Sequence, residues 1–282
     1  MLNLKWYSFL QHGQLIMLAT GFVLLLVAES LLPNGPVRTW RERARHVRRN
    51  AALWIVTTLI LSFVTGTMLI SVSLWLEAHR VGIFHLLPLP AWLLFVGGFL
   101  ALDLGDYVFH RLSHQWRWLW LLHSVHHSDA QLDVSTNLRA HPGHVLATVL
   151  TKPMVMAAFG IPLWVWMARE LVSIPITQLQ HSAVRLPPAL ERVLRPFILT
   201  PHLHRIHHSP AANETNSNFG GVLPLWDKLF GTYRDARAPL APHATSGAQR
   251  ADYGLDALRE DRWQTVFGML RTPVSARRYK TL

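Results

Sequence analysis

The first 105 residues contain three long apolar runs, separated by short polar stretches. Residues 13–32 carry one charged side chain, Glu29, and residues 51–76 and 86–102 carry none. A helix needs about 20 apolar residues to cross a hydrocarbon core of roughly 30 Å, so the first two runs are long enough on their own. The third run is shorter and extends into the helix that follows it. The pattern therefore predicts membrane-spanning helices at about 13–32, 51–76 and 86–104.

A fourth apolar stretch, residues 145–180, is interrupted by Pro153, Pro162 and Pro175. Proline breaks or kinks an α-helix because it lacks the N–H and clashes with the preceding turn. We therefore expect two short helices that form a hairpin, entering the membrane and returning to the same side. The predicted fold class is all-α, a multi-pass membrane helical bundle with a histidine-rich helical cap on the cytoplasmic side.

The pattern also predicts how the chain is divided. We expect a single membrane domain over residues 1–234, followed by a basic C-terminal tail over residues 235–282. The tail has an amphipathic pattern at about 255–270, which predicts a helix on the membrane surface or on the cytoplasmic domain.

Charged residues are few and unevenly placed. They make up 15% of the chain, whereas a soluble domain has about 25%, and the net charge is +11. Residues 37–50 contain six arginines and one glutamate, and residues 78–86 contain one arginine. This asymmetry places residues 33–50 in the cytoplasm and residues 78–86 outside, so the third span returns to the cytoplasmic side near residue 105. We expect a bacterial inner membrane and a basic face on anionic lipid, with no nucleic-acid partner.

Histidine is concentrated on that same cytoplasmic side. Of the 17 histidines, 12 lie between residues 110 and 208, and three boxes repeat helical spacings: HRLSH at 110–114, HSVHH at 123–127 and HRIHH at 204–208. Residues at i, i+3 and i+4 share one face of an α-helix. The adjacent histidines of an HxxHH box diverge by about 100° around the helix. The first and one later histidine can therefore bind one metal ion while the other histidine reaches a second ion.

The donor type limits the kind of metal site. Buried imidazoles need polar partners, and a metal ion supplies them. The chain has no cysteine, which excludes thiolate-bound zinc, haem and iron–sulfur centres. Imidazole suits zinc, copper, iron and nickel alike, so the metal identity stays open at this point. The eight box histidines exceed the four ligands of one structural zinc, and we therefore predict two metal ions.

The boxes and their flanks resemble those of the fatty acid hydroxylase / sterol desaturase superfamily, a group of integral membrane di-iron oxygenases. The resemblance extends from about residue 100 to residue 234. It implies a cytoplasmic centre of two iron ions, O₂ as co-substrate, and hydroxylation or desaturation at an unactivated C–H bond of a membrane lipid. The segments that carry it are DLGDYVFHR (103–111), HHSDAQLDVSTNLRAHP (126–142), TPHLHRIHHSP (200–210), NSNFGG (216–221) and LWDKLFGTY (225–233).

The same resemblance implies which residues hold the metals. Besides the box histidines, the histidine of QLQHS matches a further family histidine that is assigned to the metal site. The implied ligands are His110, His114, His123, His126, His127, His181, His204, His207 and His208. Beyond these ligands, the sequence indicates no catalytic residue.

Four further residues are candidates with two interpretations each. His141 is either a ligand or a hydrogen-bonding partner behind the ligands, and Asp103 and Asp106 either orient ligand rings or are solvated carboxylates. Asn218 either hydrogen-bonds near the metals or forms the turn of NFGG. We assign no role to the remaining histidines at the two ends of the chain and between the spans, which are His12, His46, His79, His85 and His243.

The expected partners are a lipid and an electron donor. The lipid enters sideways from the bilayer, and it is sterol-like, fatty acyl, alkylglycerol or carotenoid. The chain has no GxGxxG fingerprint of a dinucleotide site and no cysteine for a built-in ferredoxin. We therefore expect electrons from a separate ferredoxin or cytochrome with its reductase.

Two other function classes compete with an oxygenase. A zinc-dependent membrane hydrolase is expected to have a glutamate beside a histidine pair, as in HExxH, and none of the boxes has one. A non-enzymatic metal-binding or transport protein is expected to carry ionisable ligands inside its spans, whereas the boxes here follow the third span. Both classes fit the sequence less well than an oxygenase.

Overall fold

The computed structural model describes residues 4–34, 39–235 and 253–275. Within these residues the chain is helical, with an isolated antiparallel bridge between Pro33 and Val184 in place of any sheet. The prediction of an all-α fold is confirmed. The α-helices are α1 (Leu4–Leu31), α2 (Trp40–Ala78), α3 (Ala91–Gln115), α4 (Arg117–His127), α5 (Pro142–Phe159), α6 (Leu163–His181), α7 (Pro188–Leu194), α8 (Pro201–His207), α9 (Ala212–Thr215), α10 (Leu225–Leu229) and α11 (Val266–Ser275). The 3-10 helices are Ile83–Leu86, Val134–Leu138, Asp256–Leu258 and Asp261–Gln264.

Three segments are long and apolar enough to cross a membrane, in agreement with the apolar pattern. They are Ser8–Leu31, Trp40–Leu86 and Ala91–Gln115. Large apolar side chains point outward along them, and Phe63 near the middle of α2 is 82% exposed. Apolar surface of this extent is stable in lipid and costly in water.

Two of the spanning helices are longer than their apolar runs. α2 begins at Trp40, so the arginine-rich stretch before residue 51 is helical. Thr39 and Glu42 start it with a capping box, in which Thr39 Oγ1 accepts the N–H of Glu42 at 3.3 Å and Glu42 Oε2 accepts the N–H of Thr39 at 3.0 Å. α3 likewise continues past residue 104 and carries the first histidine box directly out of its membrane segment.

α5 and α6 form a hairpin with a sharp turn at residues 160–162. Gly160 ends α5 with a φ of 71°, and Pro162 precedes the first residue of α6. Pro153 and Pro175 lie inside the two helices rather than at their ends. The turn packs against Gly82, where an added Cβ would lie 2.0 Å from the Gly160 nitrogen. The hairpin tip therefore lies at the end of α2 opposite to the arginines.

The main apolar core lies between α2, α3 and this hairpin. A second, smaller cluster joins Leu53 of α2, Val125 of α4 and Met269 of α11 on the histidine side of the molecule. The buried members of the main core are Leu69, Leu76, Ala101, Leu102, Met156, Ile161 and Val165. α2 contributes to both clusters. It is therefore packed against the rest of the bundle near each of its two ends.

Residues 253–275 pack on the bundle next to α4 and α2. Where the sequence predicts one amphipathic helix over 255–270, the structure has two 3-10 helices followed by α11. α11 begins after Thr265, whose hydroxyl accepts the N–H of Gly268 at 3.0 Å. The sequence predicts a domain boundary after residue 234. Residues 236–252, which follow it, lie outside the described part of the chain, so this boundary stays a prediction.

Gly82→Ala is expected to destabilise the folded protein. Gly82 has a φ of 108°, and a methyl group would meet the backbone of Gly160. A left-handed backbone with a forced shift costs about 2 kcal/mol or more. Gly66→Ala is the matched control, because an added Cβ on Gly66 of α2 has no atom within 4 Å. Thermal unfolding in detergent should show a lower midpoint for Gly82→Ala alone, and equal midpoints would contradict the packing of the hairpin tip.

Candidate metal centre

Nine histidines converge on the side of the bundle that carries the arginines, and they form two neighbouring groups. Within each group, one nitrogen of every ring lies within 4.8 Å of the corresponding nitrogens of the others. Site 1 consists of His110, His114, His123, His127 and His207. Site 2 consists of His126, His181, His204 and His208. These nine residues are the nine that the sequence predicts as ligands.

The two HxxHH boxes divide between the sites in opposite ways. On α4, the i, i+4 pair of His123 and His127 belongs to site 1, and His126 belongs to site 2. On α8 and its C-cap, the i, i+4 pair of His204 and His208 belongs to site 2, and His207 belongs to site 1. Each box therefore contributes to both sites, as the helical spacing predicts for two adjacent metal ions.

The other histidines of the two groups come from the ends of two longer helices. α3 brings His110 and His114 to site 1, and the last residue of α6 brings His181 to site 2. The rings of His127 and His208 stack between the two sites, with centroids 4.5 Å apart and planes inclined by 18°. Site 1 and site 2 are thus in direct contact.

Several ring nitrogens lie at the separation expected of ligands on one ion. The Nε2 atoms of His110 and His123 are 3.1 Å apart, and those of His126 and His181 are also 3.1 Å apart. The Nε2 atom of His204 lies 2.9 Å from that of His181 and 3.2 Å from that of His208. Two nitrogens bound to one metal at about 2.0–2.1 Å and at tetrahedral to right angles are roughly 2.9–3.4 Å apart.

Backbone carbonyls fix the orientation of four of the rings. The Nδ1 atom of each ring bonds to a carbonyl oxygen, which turns Nε2 toward the centre of its site. The pairs are His110 with Phe219 at 2.9 Å, His126 with Arg139 at 3.1 Å, His181 with Thr177 at 2.7 Å, and His207 with Ser217 at 2.8 Å. The carbonyls of Arg139, Ser217 and Phe219 lie in loops outside the helices that carry the nine histidines.

Other buried ring nitrogens have no hydrogen-bond partner among the described residues. Burial lowers the pKa of His127, His207 and His208 well below the ordinary histidine value, so these rings are neutral at pH 7 and keep a free lone pair. Leaving such atoms unpaired costs free energy that a bound cation recovers. A bound ion can take Nε2 of His127, Nε2 of His207 and one nitrogen of His114. The unpaired Nδ1 atoms of His123, His204 and His208 belong to rings whose Nε2 atoms already face the other histidines. The donor set therefore fits two imidazole-bound metal ions.

The chain is similar to a family model and to several known proteins. A family model described as fatty acid hydroxylase matches residues 95–232. The chain is 31% identical to an alkylglycerol monooxygenase of Danio rerio over 228 residues, which cover 76% of this chain and 45% of that protein. It is 33% identical to an ornithine lipid hydroxylase of Rhizobium tropici over 142 residues, 50% of this chain and 42% of that protein. It is 30% identical to a very-long-chain aldehyde decarbonylase of Oryza sativa subsp. indica over 191 residues, 64% of this chain and 69% of that protein.

The chain belongs to the fatty acid hydroxylase family. All nine histidines of the two sites lie within the residues that the family model matches. The chain spans less than half the length of the first two of these relatives. No solved structure matches it.

The other predicted site residues of this family member lie outside both groups. His141 precedes α5 as its N-cap, where its Nδ1 accepts the N–H of Gly143 at 3.0 Å and its Nε2 faces the carbonyl of Leu270 at 3.2 Å. Asn218 has a φ of 54°, and its Oδ1 accepts the N–H of Arg234 at 2.9 Å. Asn218 thus forms the turn, and its Nδ2 also donates to the carbonyl of Leu203 on α8 at 3.0 Å, next to His204.

Asp103 holds the loop behind the histidine rings, whereas Asp106 pairs with Lys152 and Arg169 of the α5–α6 hairpin. Asp103 accepts the N–H groups of Val222 at 2.9 Å and Leu223 at 3.2 Å. Asp106 pairs with Arg169 at 2.6 Å. Both carboxylates are thus engaged within the bundle and are not solvated. The loop that Asp103 holds includes Phe219, whose carbonyl orients His110, so the link from carboxylate to ligand is indirect.

His46, to which the sequence assigned no role, lies buried between two carboxylates. Its Nε2 is 2.8 Å from Asp129 Oδ1, and its Nδ1 is 2.8 Å from Asp133 Oδ2. Burial alone would raise the pKa of Asp129, but His46 and Arg139 outweigh it and hold that pKa below its ordinary value. No regular spacing links a histidine on α2 to these aspartates, so the sequence carried no signal for this contact.

This His46 network supports the ligands of site 2. It fixes residues 128–139, which leave α4 directly after the second histidine box. The fully buried Arg139 donates through Nε to the carbonyl of Val125 at 2.8 Å, and the carbonyl of Arg139 accepts from His126. The network therefore holds both the end of α4 and the group that orients His126.

His207→Ala is expected to remove about one of two metal ions per chain, because it takes one ligand from site 1 and leaves the four of site 2 complete. The measurement is metal content by mass spectrometry on anaerobically purified protein. His79→Ala is the control, since His79 is exposed at the C-cap of α2. Unchanged metal content in His207→Ala would remove His207 from the ligand set.

His46→Ala is expected to destabilise the protein by about 3–5 kcal/mol, since it leaves two buried carboxylates without their cationic partner. Arg49→Gln, one turn away on α2, breaks an exposed ion pair with Asp261 and should cost at most about 1 kcal/mol. The readouts are the unfolding midpoint in detergent and the rate of metal loss to a chelator. If His46→Ala matched Arg49→Gln in both, the network would not support the metal centre.

Proposed function

We propose that this protein is an O₂-dependent lipid hydroxylase or desaturase that holds two iron ions and acts on an unactivated C–H bond of a membrane lipid. The observation that carries this proposal is the division of nine histidines, six of them buried and three partly buried, into two adjoining sites at the end of membrane-spanning helices. When bound, two irons would supply the redox chemistry by which O₂ attacks an unactivated carbon.

The ligand assignment follows from the two groups. His110, His114, His123, His127 and His207 would hold one ion, and His126, His181, His204 and His208 would hold the other. Imidazole binds several transition metals, and the family supports iron among them. Among the described residues, neither group includes a carboxylate, and none of the three boxes has the glutamate of an HExxH motif.

Aromatic side chains cover site 1 and keep water from it. The rings of Trp120 and Phe219 lie 4.9 Å and 5.1 Å from the ring of His114, measured between centroids. Phe219 also contacts the rings of His110 and His207 at 5.6 Å and 5.7 Å. An enclosing wall of this kind would suit a centre that attacks C–H bonds, because excluding water prevents side reactions of reactive intermediates.

A membrane lipid is the proposed substrate, because the relatives are named for reactions of lipids or long-chain aldehydes. Sterol-like, fatty acyl, alkylglycerol and carotenoid lipids all stay within this proposal. The site lies where α3 leaves its apolar span, so the reactive carbon would have to reach the boundary of the bilayer.

We further propose that the metal centre faces the cytoplasm of a bacterial inner membrane. Six arginines and one glutamate at residues 37–50 support this orientation. The hairpin tip at Gly160 would then lie on the other side. Electrons would come from a separate ferredoxin or cytochrome with its reductase, for which the basic face offers an electrostatic match.

The test is anaerobic purification followed by iron loading, with His126→Ala alongside. Wild-type protein should bind about two irons per chain, accept electrons from dithionite and return them to O₂. His126→Ala, which loses a ligand and its bond to Arg139, should insert in the membrane but lose iron and O₂ consumption. His79→Ala should behave as wild type. One tightly bound zinc and no redox-active iron would instead favour a hydrolase.

A further inference from the structure

The C-terminal segment, residues 253–275, lies outside the residues that the family model matches, yet it packs against the support of site 2. Met269 of α11 is buried against Val125 of α4. Asp261 forms an ion pair with Arg49 of α2 at 2.7 Å. These contacts hold the end of the 3-10 helix Asp261–Gln264 next to residues 128–139, the loop that follows the second histidine box.

Gln264, the last residue of that 3-10 helix, forms hydrogen bonds through both polar atoms of its side chain. Its Oε1 accepts from Arg139 Nη2 at 2.9 Å. Its Nε2 donates to the carbonyl of Ser128 at 3.2 Å and to the carbonyl of Leu258 at 2.7 Å. A primary amide offers both an acceptor and donors, whereas an ionised carboxylate has no donor and an apolar side chain has neither. The position therefore uses both kinds of group that a glutamine side chain offers.

Arg139 lies between Gln264 and the metal site. It is 1% exposed, and it also donates to the carbonyl of Val125 at 2.8 Å, to Asn50 Oδ1 at 3.2 Å and to Ser128 Oγ at 2.8 Å. A buried guanidinium that loses an acceptor keeps an unpaired, charged N–H group, which is costly in free energy. Without Gln264, the Arg139 side chain would therefore shift toward another acceptor.

The backbone of Arg139 orients a ring of site 2. The Arg139 carbonyl accepts from His126 Nδ1 at 3.1 Å, and His126 Nε2 lies 3.1 Å from His181 Nε2. A ligand ring that is held through its second nitrogen keeps its coordinating nitrogen in place. A shift of Arg139 would move this carbonyl and turn the ring of His126 away from site 2.

Site 1 does not depend on this link in the same way. The carbonyls of Phe219 and Ser217 orient His110 and His207. Among the described residues, Gln264 makes no hydrogen bond to either of those loop residues. Loss of the Gln264 amide should therefore weaken metal binding at site 2 more than at site 1.

We propose that Gln264 is a positioning residue of site 2. It holds the Arg139 guanidinium, and through Arg139 it fixes the ring of His126. The C-terminal segment thereby completes a metal site whose histidines all lie in the part of the chain that the family model matches. This role rests on the ligand assignment within the proposed function, and it is independent of the reaction at the metals.

The test measures the release of Co²⁺, as a probe of histidine sites, from full-length protein in detergent to excess EDTA. In a His207→Ala background, which keeps the four histidines of site 2, Gln264→Met should release Co²⁺ about tenfold faster, the lower end of the range for loss of a group that orients a ligand. Arg262→Met is the matched control, since the Arg262 side chain is 64% exposed on the same 3-10 helix. Equal release by the two variants would overturn the proposal.

A second background separates positioning from general stability. His126→Ala removes the ring that Arg139 orients and keeps the five histidines of site 1. There Gln264→Met should release Co²⁺ at the same rate as the background alone. Acceleration of the same size in both backgrounds would mean that Gln264 only stabilises the fold, and would reject the positioning role. Gln264→Asn, whose shorter side chain cannot reach Arg139 and the carbonyls together, carries both comparisons if Gln264→Met does not fold.

Gln264→Glu tests the link through Arg139 directly. A glutamate keeps an acceptor for Arg139 in a charge-assisted bond, and it loses the donors to Ser128 and Leu258. In the His207→Ala background it should release Co²⁺ more slowly than Gln264→Met and keep the Co²⁺ absorption spectrum of that background. Equal acceleration and an equal spectral change in both variants would place the effect in the bonds to the carbonyls and overturn the role of Arg139.

Iron loading and O₂ consumption are measured on the same variants. Faster Co²⁺ release by Gln264→Met, from a protein whose iron form consumes no O₂, would uphold the positioning role and reject only the oxygenase. An O₂-consuming wild type, in which Gln264→Met releases Co²⁺ as slowly as Arg262→Met, would reject only the positioning role. The two proposals therefore fail independently.

Discussion

Nine imidazole rings lie together where the membrane-spanning helix α3 leaves its apolar segment, and burial removes water from most of their nitrogen atoms. Each neutral ring has one donor and one acceptor to satisfy. Backbone carbonyls take the donors of His110, His126, His181 and His207. The Nε2 atoms of His110, His126 and His181 then face those of neighbouring histidines at about 3 Å, and a bound cation would satisfy their lone pairs.

The rest of the structure can be understood as support for those carbonyls. The loop of residues 128–139 is held by His46, Asp129 and Arg139, and it offers its last carbonyl to His126. The loop of residues 219–224 is held by Asp103 of α3, and it offers the carbonyl of Phe219 to His110. In both cases a buried charge fixes a loop, and the loop orients a ligand. Asp103 and Asp129 therefore support the histidine rings through a loop and do not hydrogen-bond to the rings of the two sites.

Membrane insertion and metal binding share the same helices. α3 is both a span and the carrier of two ligands, and α2 is both a span and the carrier of His46. The hairpin of α5 and α6 packs along these spans and ends in His181 at site 2. Its interior prolines do not end the helices, because packing against α2 and α3 offsets the lost backbone bonds.

The sequence by itself determined the elements and the donors. Apolar runs of sufficient length predicted the spans, and the i, i+3 and i+4 spacings of the boxes predicted that each HxxHH box serves two sites, because both features follow from the geometry of one helix. The family resemblance added His181. Only the tertiary structure decided which box histidine joins which site, the turn role of Asn218, the N-cap role of His141 and the burial of His46 between Asp129 and Asp133. Several of these contacts join residues far apart in the chain, such as His46 and Asp129. A hydrophobic period or a helix propensity describes neighbouring residues only, so it does not predict which distant side chains meet when two elements pack.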